Sequence, residues 1–161
     1  MGEDTNQREG SLFGRLFCGG KAPRTELRFE GVASSTAVDR EGERLTAEAL
    51  QQVAERVPIP LTTGHGERAV VIGQVEEGWV EAGRLHVRGR LDAEKGAARA
   101  LARDLRLGAR RCLSLGGRAL AAQAEISEGR VVRRLEAVEV DHVAVCQPQE
   151  ARNQETVVRL V

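Results

Sequence analysis

The chain has 161 residues, of which 41% are hydrophobic, 30% charged and only 2% aromatic. This length and balance predict one globular domain and exclude a disordered or membrane-embedded chain. With 24 basic and 24 acidic residues the formal net charge is zero, so the sequence lacks the basic excess of a nucleic-acid-binding protein. No apolar run approaches the ~20 residues that span a bilayer, so no membrane partner is expected.

Three cysteines, at positions 18, 112 and 146, are an odd and low count. They argue against a disulfide framework and predict a reducing, intracellular setting. The first residues are acidic and polar, which is not the pattern of a secretory signal. Residues 1–24 combine glycine, serine and charge with a short apolar patch, and we predict a flexible N-terminal tail there. Residues 25–161 then form the single domain.

The first half of the domain begins with a predicted strand over residues 26–33, followed by a polar loop. Thr46 is placed to cap a helix over residues 47–57, which carries one apolar stripe. Pro58 ends that helix because proline cannot continue it. A short buried strand over residues 59–63 comes next.

A β-hairpin is predicted from residues 70–80 and 84–91, joined by a turn that contains glycine. In its second strand apolar and polar residues alternate, which places His86 on the solvent face as a bystander. A second helix follows over residues 94–107, and Gly108 ends it.

Three strands complete the chain. We predict them over residues 111–125, interrupted at Gly116-Gly117, over residues 131–146, and over residues 156–161. The fold class is therefore α+β: a mostly antiparallel, barrel-like sheet with flanking helices.

Three side chains in small-residue settings are candidates for chemistry: His65 after an apolar strand, Ser114 two residues before Gly116, and His142 within a valine-rich strand. Each has an ordinary alternative. A loop histidine is commonly solvated, a strand serine commonly bonds to a neighbouring backbone, and a histidine among valines commonly belongs to the core.

Together these residues match the needs of a serine nucleophile. Its hydroxyl requires a neighbouring base, and the base requires a third group that fixes its tautomer. Histidine suits the base because its pKa lies near working pH. The Gly116-Gly117 step lets the backbone approach an oxyanion closely enough to donate hydrogen bonds. We expect no cofactor and no metal.

Strand parity separates the two candidates for the third group. Counting by twos from His142 puts Val140 and Ala144 on its face and Asp141 on the opposite face. The count therefore favours His142 over Asp141 as the orienting residue.

At this point the sequence resembles the prohead maturation proteases of tailed phages, which are related in fold to the herpesvirus assemblins. Residues 29–50 resemble the first strand, loop and helix of the family, and residues 60–73 resemble the block with the catalytic histidine. Residues 113–116, Leu-Ser-Leu-Gly, resemble the nucleophile block. Residues 142–146, His-Val-Ala-Val-Cys, resemble the assemblin strand that carries the third triad member.

The resemblance implies a triad of Ser114, His65 and His142, with an oxyanion contribution from Arg152. Here Asn153 stands where the family has a second arginine, and the loop before it is about two residues longer. The phage branch commonly has a carboxylate at the position of His142. The resemblance further implies that the enzyme cuts scaffold and major capsid protein within an assembling procapsid, in the cytoplasm of the host cell. A homodimer, encoded by a phage or prophage, is expected by the same analogy.

Several alternatives stay open at this stage. Catalytically, a cysteine nucleophile at position 112 or 146 is one, because a thiol beside a histidine is easily activated. A metal site that includes His142 and Cys146 is disfavoured, since those positions lie ~13 Å apart on an extended strand. The non-enzymatic alternative is an inactive capsid-assembly or scaffold-associated structural protein of the same fold.

Overall fold

The computed structural model describes residues 26–161, and within them it contains eight strands and two helices. The predicted tail, residues 1–24, lies outside the described residues. The elements in chain order are β1 (Leu27–Ser35), β2 (Glu43–Leu45), α1 (Ala47–Ala54), β3 (Ile59–Thr62), β4 (Val71–Glu81), β5 (Arg84–Leu91), α2 (Gly96–Arg106), β6 (Cys112–Ser127), β7 (Arg130–Cys146) and β8 (Val157–Leu160).

All eight strands belong to one sheet, with the order β2-β7-β3-β4-β5-β1-β8 and β6 paired with β7. The sheet curls into half of a barrel, and the fold is α+β with strands predominating. The predicted class is confirmed at this level. The pairing is antiparallel except on β7, where β2 and β3 run parallel to it.

Strand β7 organises the sheet because it has partners along both edges. Strand β6 pairs with it over its whole length, while β2 and β3 pair with separate segments of it. At the other end of the sheet, β8 lies beside β1, and Val158 donates a hydrogen bond of 3.1 Å to the carbonyl of Arg111. This single bridge brings the start of β6 close to β8 and closes part of the curl.

The core lies inside the curl and is aliphatic. In β5, Leu85, Val87 and Leu91 are buried while Arg84 and Arg90 are exposed, as the alternation predicts. Removing such side chains from water is the main favourable contribution to folding. The most deeply buried large side chains are Phe29, Leu50, Leu61, Ile72, Leu85, Leu113, Val75 and Val143.

Helix α1 begins as predicted, with the Thr46 hydroxyl accepting a hydrogen bond of 3.1 Å from the Ala49 amide. It ends at Ala54, earlier than the predicted residue 57, because a residue that precedes proline is disfavoured in the helical conformation and Val57 precedes Pro58. Helix α2 is likewise shorter than predicted at its start. No helix within residues 26–161 is long and apolar enough to cross a membrane.

Two features of the sheet differ from the prediction. Residues 43–45 form β2, which pairs in parallel with residues 133–135, and three residues are too few to show a period of two. Strand β6 is continuous through Gly116-Gly117, where an interruption was predicted. Its ladder to β7 is irregular at that step instead, because β7 has one extra residue there.

We expect Leu50→Ala to lower the free energy of unfolding by about 2–5 kcal/mol, because Leu50 is fully buried and the substitution leaves a cavity. Leu107→Ala is the matched control, since Leu107 is 79% exposed, and it should change stability by less than about 0.5 kcal/mol. Urea denaturation of both variants measures the difference. Equal losses in the two variants would contradict the core described above.

Candidate active site

His65 lies in the loop between β3 and β4, and hydrogen bonds hold that loop in shape. Thr62, the last residue of β3, donates its hydroxyl to the carbonyl of Gly64 at 2.8 Å. Thr63 and Val70 close the loop through two bonds, from the Thr63 amide to the Val70 carbonyl (3.0 Å) and from the Val70 amide to the Thr63 hydroxyl (3.1 Å). The hydrogen bonds of the two threonines therefore fix the conformation of the loop that carries His65.

Ser114 lies on β6, which pairs with the edge of β7 opposite to β3, and the strand register determines its neighbours. Ala144 of β7 is paired with Ser114 of β6 on one edge and with Thr62 of β3 on the other. His142 lies two residues before Ala144 and is paired with Gly116. Directly opposed residues share a face of the sheet, so Ser114 and His142 point to the same side.

The three predicted side chains converge. His65 Nε2 lies 3.0 Å from Ser114 Oγ, and His65 Nδ1 lies 2.7 Å from His142 Nε2. The two imidazole rings meet edge to face, with centroids 4.9 Å apart. Both distances are those of hydrogen bonds, so a continuous chain of polar contacts joins the hydroxyl to the second imidazole.

The environment favours the neutral form of His65. Partial removal of the ring from water is the main cause that lowers its pKa, and the nearby His142 and Arg152 lower the pKa further. Asp141 has a smaller, opposite effect and raises the pKa of His65. A neutral imidazole can accept a proton, which a base must do. Ser114 itself is buried, whereas the edge of His65 is accessible to solvent.

Asp141 contacts His142, which the strand count did not predict. Its carboxylate oxygen Oδ1 is hydrogen-bonded to His142 Nδ1, the ring nitrogen that faces away from His65. The count failed because β7 is bulged: Gly116 is paired with His142 and Gly117 with Val140, so Asp141 has no residue opposite it. Residues 140–145, Val-Asp-His-Val-Ala-Val, do not alternate clearly between apolar and polar, so the bulge has no direct sign in the sequence.

Gly116 makes room for His142. A Cβ atom at this position would lie 2.0–2.6 Å from three atoms of the His142 ring, which is closer than any real contact. Only glycine therefore allows the ring to lie across β6. The predicted oxyanion role of Gly116 is a separate matter and stays a prediction.

Arg152 and Asn153 follow β7 and line the same cleft as Ser114. The exposed Arg152 side chain forms an ion pair of 3.3 Å with Glu41, so its guanidinium faces the loop after β1. Asn153 donates a hydrogen bond of 2.9 Å to the Ser35 hydroxyl. The two residues tie the loop after β7 to the end of β1.

A cleft of about 240 Å³ opens beside Ser114. Its sides come from β1, β2, β6, β7 and the loop after β7, and they are largely small or aliphatic, with charged residues at several points. Its aliphatic lining includes Ala33, Leu45, Leu113, Leu115, Leu135 and Val138. The cleft is therefore an open groove next to the serine, with both aliphatic and charged residues along its sides.

The remaining candidates stand apart from this arrangement. Burial and the neighbouring Cys112 and Glu150 raise the pKa of the Cys146 thiol to about 11, which opposes formation of a nucleophilic thiolate. His86 stacks on Trp79, with ring centroids 5.4 Å apart, within the β4–β5 hairpin. Among residues 26–161, no group of three or more His, Cys, Asp or Glu side chains is arranged to hold a metal ion.

Comparisons of the chain with models of protein families, with curated proteins and with solved structures find no match.

Gly116→Ala should displace the His142 ring and separate it from His65, because the added methyl group overlaps the ring. We expect the hydrogen bond between the two histidines to be lost, as measured by NMR of the imidazole nitrogens or by a crystal structure of the variant. Gly96→Ala is the control, since a Cβ atom there meets nothing closer than 3.9 Å. An unchanged pair of histidines in Gly116→Ala would contradict the packing described.

Proposed function

We propose that the chain is a serine endopeptidase of the prohead maturation type, with Ser114 as nucleophile, His65 as base and His142 as orienting residue. One observation carries the proposal: the hydrogen-bonded chain from Ser114 Oγ through both nitrogens of His65 to His142. A serine, a histidine that touches it and a third group that touches the histidine are what nucleophilic catalysis by a hydroxyl requires.

The geometry assigns each proton transfer to a specific atom. His65 Nε2 takes the hydroxyl proton as Ser114 Oγ attacks the scissile carbonyl, while its Nδ1–H donates to His142 Nε2. The protonated His65 then delivers the proton to the leaving amine, which departs and leaves an acyl-enzyme. Water, deprotonated by the same His65 nitrogen, hydrolyses the acyl-enzyme and restores the serine.

His142 differs from the carboxylate of more familiar triads because it can be neutral. A neutral acceptor fixes the tautomer of His65 through a hydrogen bond, but stabilises the developing imidazolium less than a full negative charge does. Burial, followed by the nearby His142 and Arg152, lowers the pKa of His65 and so favours its neutral, proton-accepting form.

The oxyanion formed during attack needs hydrogen-bond donors or positive charge close to Ser114. Backbone amides beside Ser114, in the Gly116-Gly117 step, are the candidate donors, and the Arg152 guanidinium contributes positive charge from the rim of the cleft. Asn153, where the resembled family has a second arginine, is bonded to Ser35 and serves to anchor the loop.

The substrate class is proposed from the resemblance of the sequence blocks around His65, Ser114 and His142. It points to scaffold and major capsid protein, cut inside an assembling procapsid in the host cytoplasm, by an enzyme that acts as a homodimer. The half-barrel sheet with two helices is compatible with the assemblin-like fold that the resemblance implies. The cleft beside Ser114 has room for an extended backbone segment, between sides that carry both aliphatic and charged residues.

Ser114→Ala should abolish both covalent labelling by a fluorophosphonate probe and cleavage of scaffold or capsid protein from the same phage or prophage. The reason is that the substitution removes the nucleophilic oxygen. Intact mass spectrometry reports the labelling, and Ser127→Ala, at the far end of β6, is the matched control that keeps activity. Wild-type protein that neither labels nor cleaves would instead support the inactive structural alternative.

The acidic limb of the kcat/KM profile should have its midpoint below about pH 6.5, the ordinary value for histidine. His65 must be neutral to accept the proton, and its pKa is lowered by burial, His142 and Arg152. Activity should therefore rise as pH increases through this midpoint and level off above it. Arg152→Gln should move the midpoint upward, because one of the lowering charges is lost.

Arg130→Gln removes an exposed charge at the far end of β7 and should leave that midpoint unchanged. A midpoint at or above the ordinary histidine value in the wild type would count against His65 as the base.

A further inference from the structure

Asp141 stands at the far end of the hydrogen-bonded chain, and the β7 bulge is what puts it there. Without the bulge its side chain would project from the opposite face of the sheet. With it, the carboxylate turns back onto His142 Nδ1, although Asp141 remains 70% exposed. The carboxylate makes no contribution to the core, so its placement calls for a role in the site.

Two arrangements of protons are possible in a pair of neutral histidines linked to a serine. In the first, each histidine carries its proton on Nδ1, so His65 Nε2 is bare and can accept the Ser114 proton. In the second, each carries it on Nε2, so His142 donates to His65 and His65 donates to Ser114. The second arrangement blocks catalysis, because the base already holds a proton where it must receive one.

The contact with Asp141 separates these arrangements. An ionised carboxylate only accepts hydrogen bonds, so it requires a proton on His142 Nδ1. In the second arrangement that nitrogen is bare and would face the carboxylate with no proton between them. The carboxylate of Asp141 therefore disfavours the blocked arrangement at His65, although it contacts only His142.

We propose that Asp141 is a positioning residue that selects the productive tautomer of both histidines and so extends the triad to Ser114–His65–His142–Asp141. This inference rests on the proposed function for its catalytic consequence, but the tautomer choice itself belongs to the resting protein. The ionisable groups that act on the pKa of His65 are His142 and Asp141 on β7 and Arg152 on the following loop. Of these, Asp141 alone is the negative one in contact with the second ring.

The first test is NMR of the imidazole nitrogens in the wild type, read on the alkaline plateau where their chemical shifts no longer change with pH. We expect N–H at Nδ1 and a bare Nε2 in both histidines. In Asp141→Ala the Nε2–H form should become substantially populated in both rings together. Asp141→Asn should be intermediate, since its amide oxygen can accept the same hydrogen bond but its amide nitrogen can also donate.

Glu136→Gln is the matched control, because it removes a carboxylate from the same strand that pairs with Arg134 instead of a histidine. It should keep the wild-type tautomers. Wild-type tautomers in Asp141→Ala would overturn the proposal, and so would an Nε2–H form already dominant in the wild type. A change in one ring without the other would also overturn it, since the relay couples them.

The second test is the rate at which Ser114 reacts with a fluorophosphonate probe. We expect a decrease on the order of 10- to 100-fold in Asp141→Ala, by analogy with the loss on removing a carboxylate that orients a metal-binding histidine. Asp141→Asn should recover part of the rate, and the thermal midpoint of unfolding should change little because the side chain is exposed. An unchanged rate in Asp141→Ala would refute the positioning role.

The two tests separate the failure of this inference from failure of the proposed function. If Ser114 of the wild type does not react, the peptidase assignment fails, and the NMR comparison still decides whether Asp141 sets the tautomers. If Ser114 reacts equally in the wild type and in Asp141→Ala, the peptidase assignment survives and the role of Asp141 does not.

Discussion

The site depends on one constraint, the simultaneous pairing of both edges of β7 around Ala144. One edge brings Ser114 through an antiparallel ladder, and the other brings Thr62 through a parallel one. Hydrogen bonds between strands fix these distances to ~4.8 Å per strand, which no flexible loop could do. The histidine loop then needs to reach across only one strand. An alanine between them keeps that space clear of a larger side chain.

The same arrangement also determines the electrostatic environment of His65. Ser114 is buried beside the cleft, whereas His65, the proposed base, is open to solvent and close to Arg152. Desolvation and positive charge act in the same direction on His65, and one carboxylate opposes them. In the proposed mechanism, proton acceptance by His65 and the orientation of the two imidazole rings are therefore controlled by different residues.

Much of this could be predicted from sequence. Apolar alternation located β5, the threonine cap located the start of α1, and the chemical needs of a serine nucleophile selected Ser114, His65 and His142 before any coordinates. The predictions that failed depend on information that a residue pattern does not contain. Strand β2 is too short to show a period, α1 ends ahead of the Val57-Pro58 step, and the bulge at Asp141 inserts a residue where the strand has no clear alternation. Strand β2 and the bulge are decided by pairing partners distant in the chain.

The stacking of Trp79 on His86 in the β4–β5 hairpin limits what tryptophan fluorescence can report about this protein. Trp79 is the chain's one tryptophan, and its indole lies against His86 with Arg88 over the same ring. Ultraviolet emission will therefore report opening of that hairpin. The signal belongs to this corner of the sheet, so following the two imidazoles beside Ser114 calls for NMR or for a tryptophan introduced near the cleft.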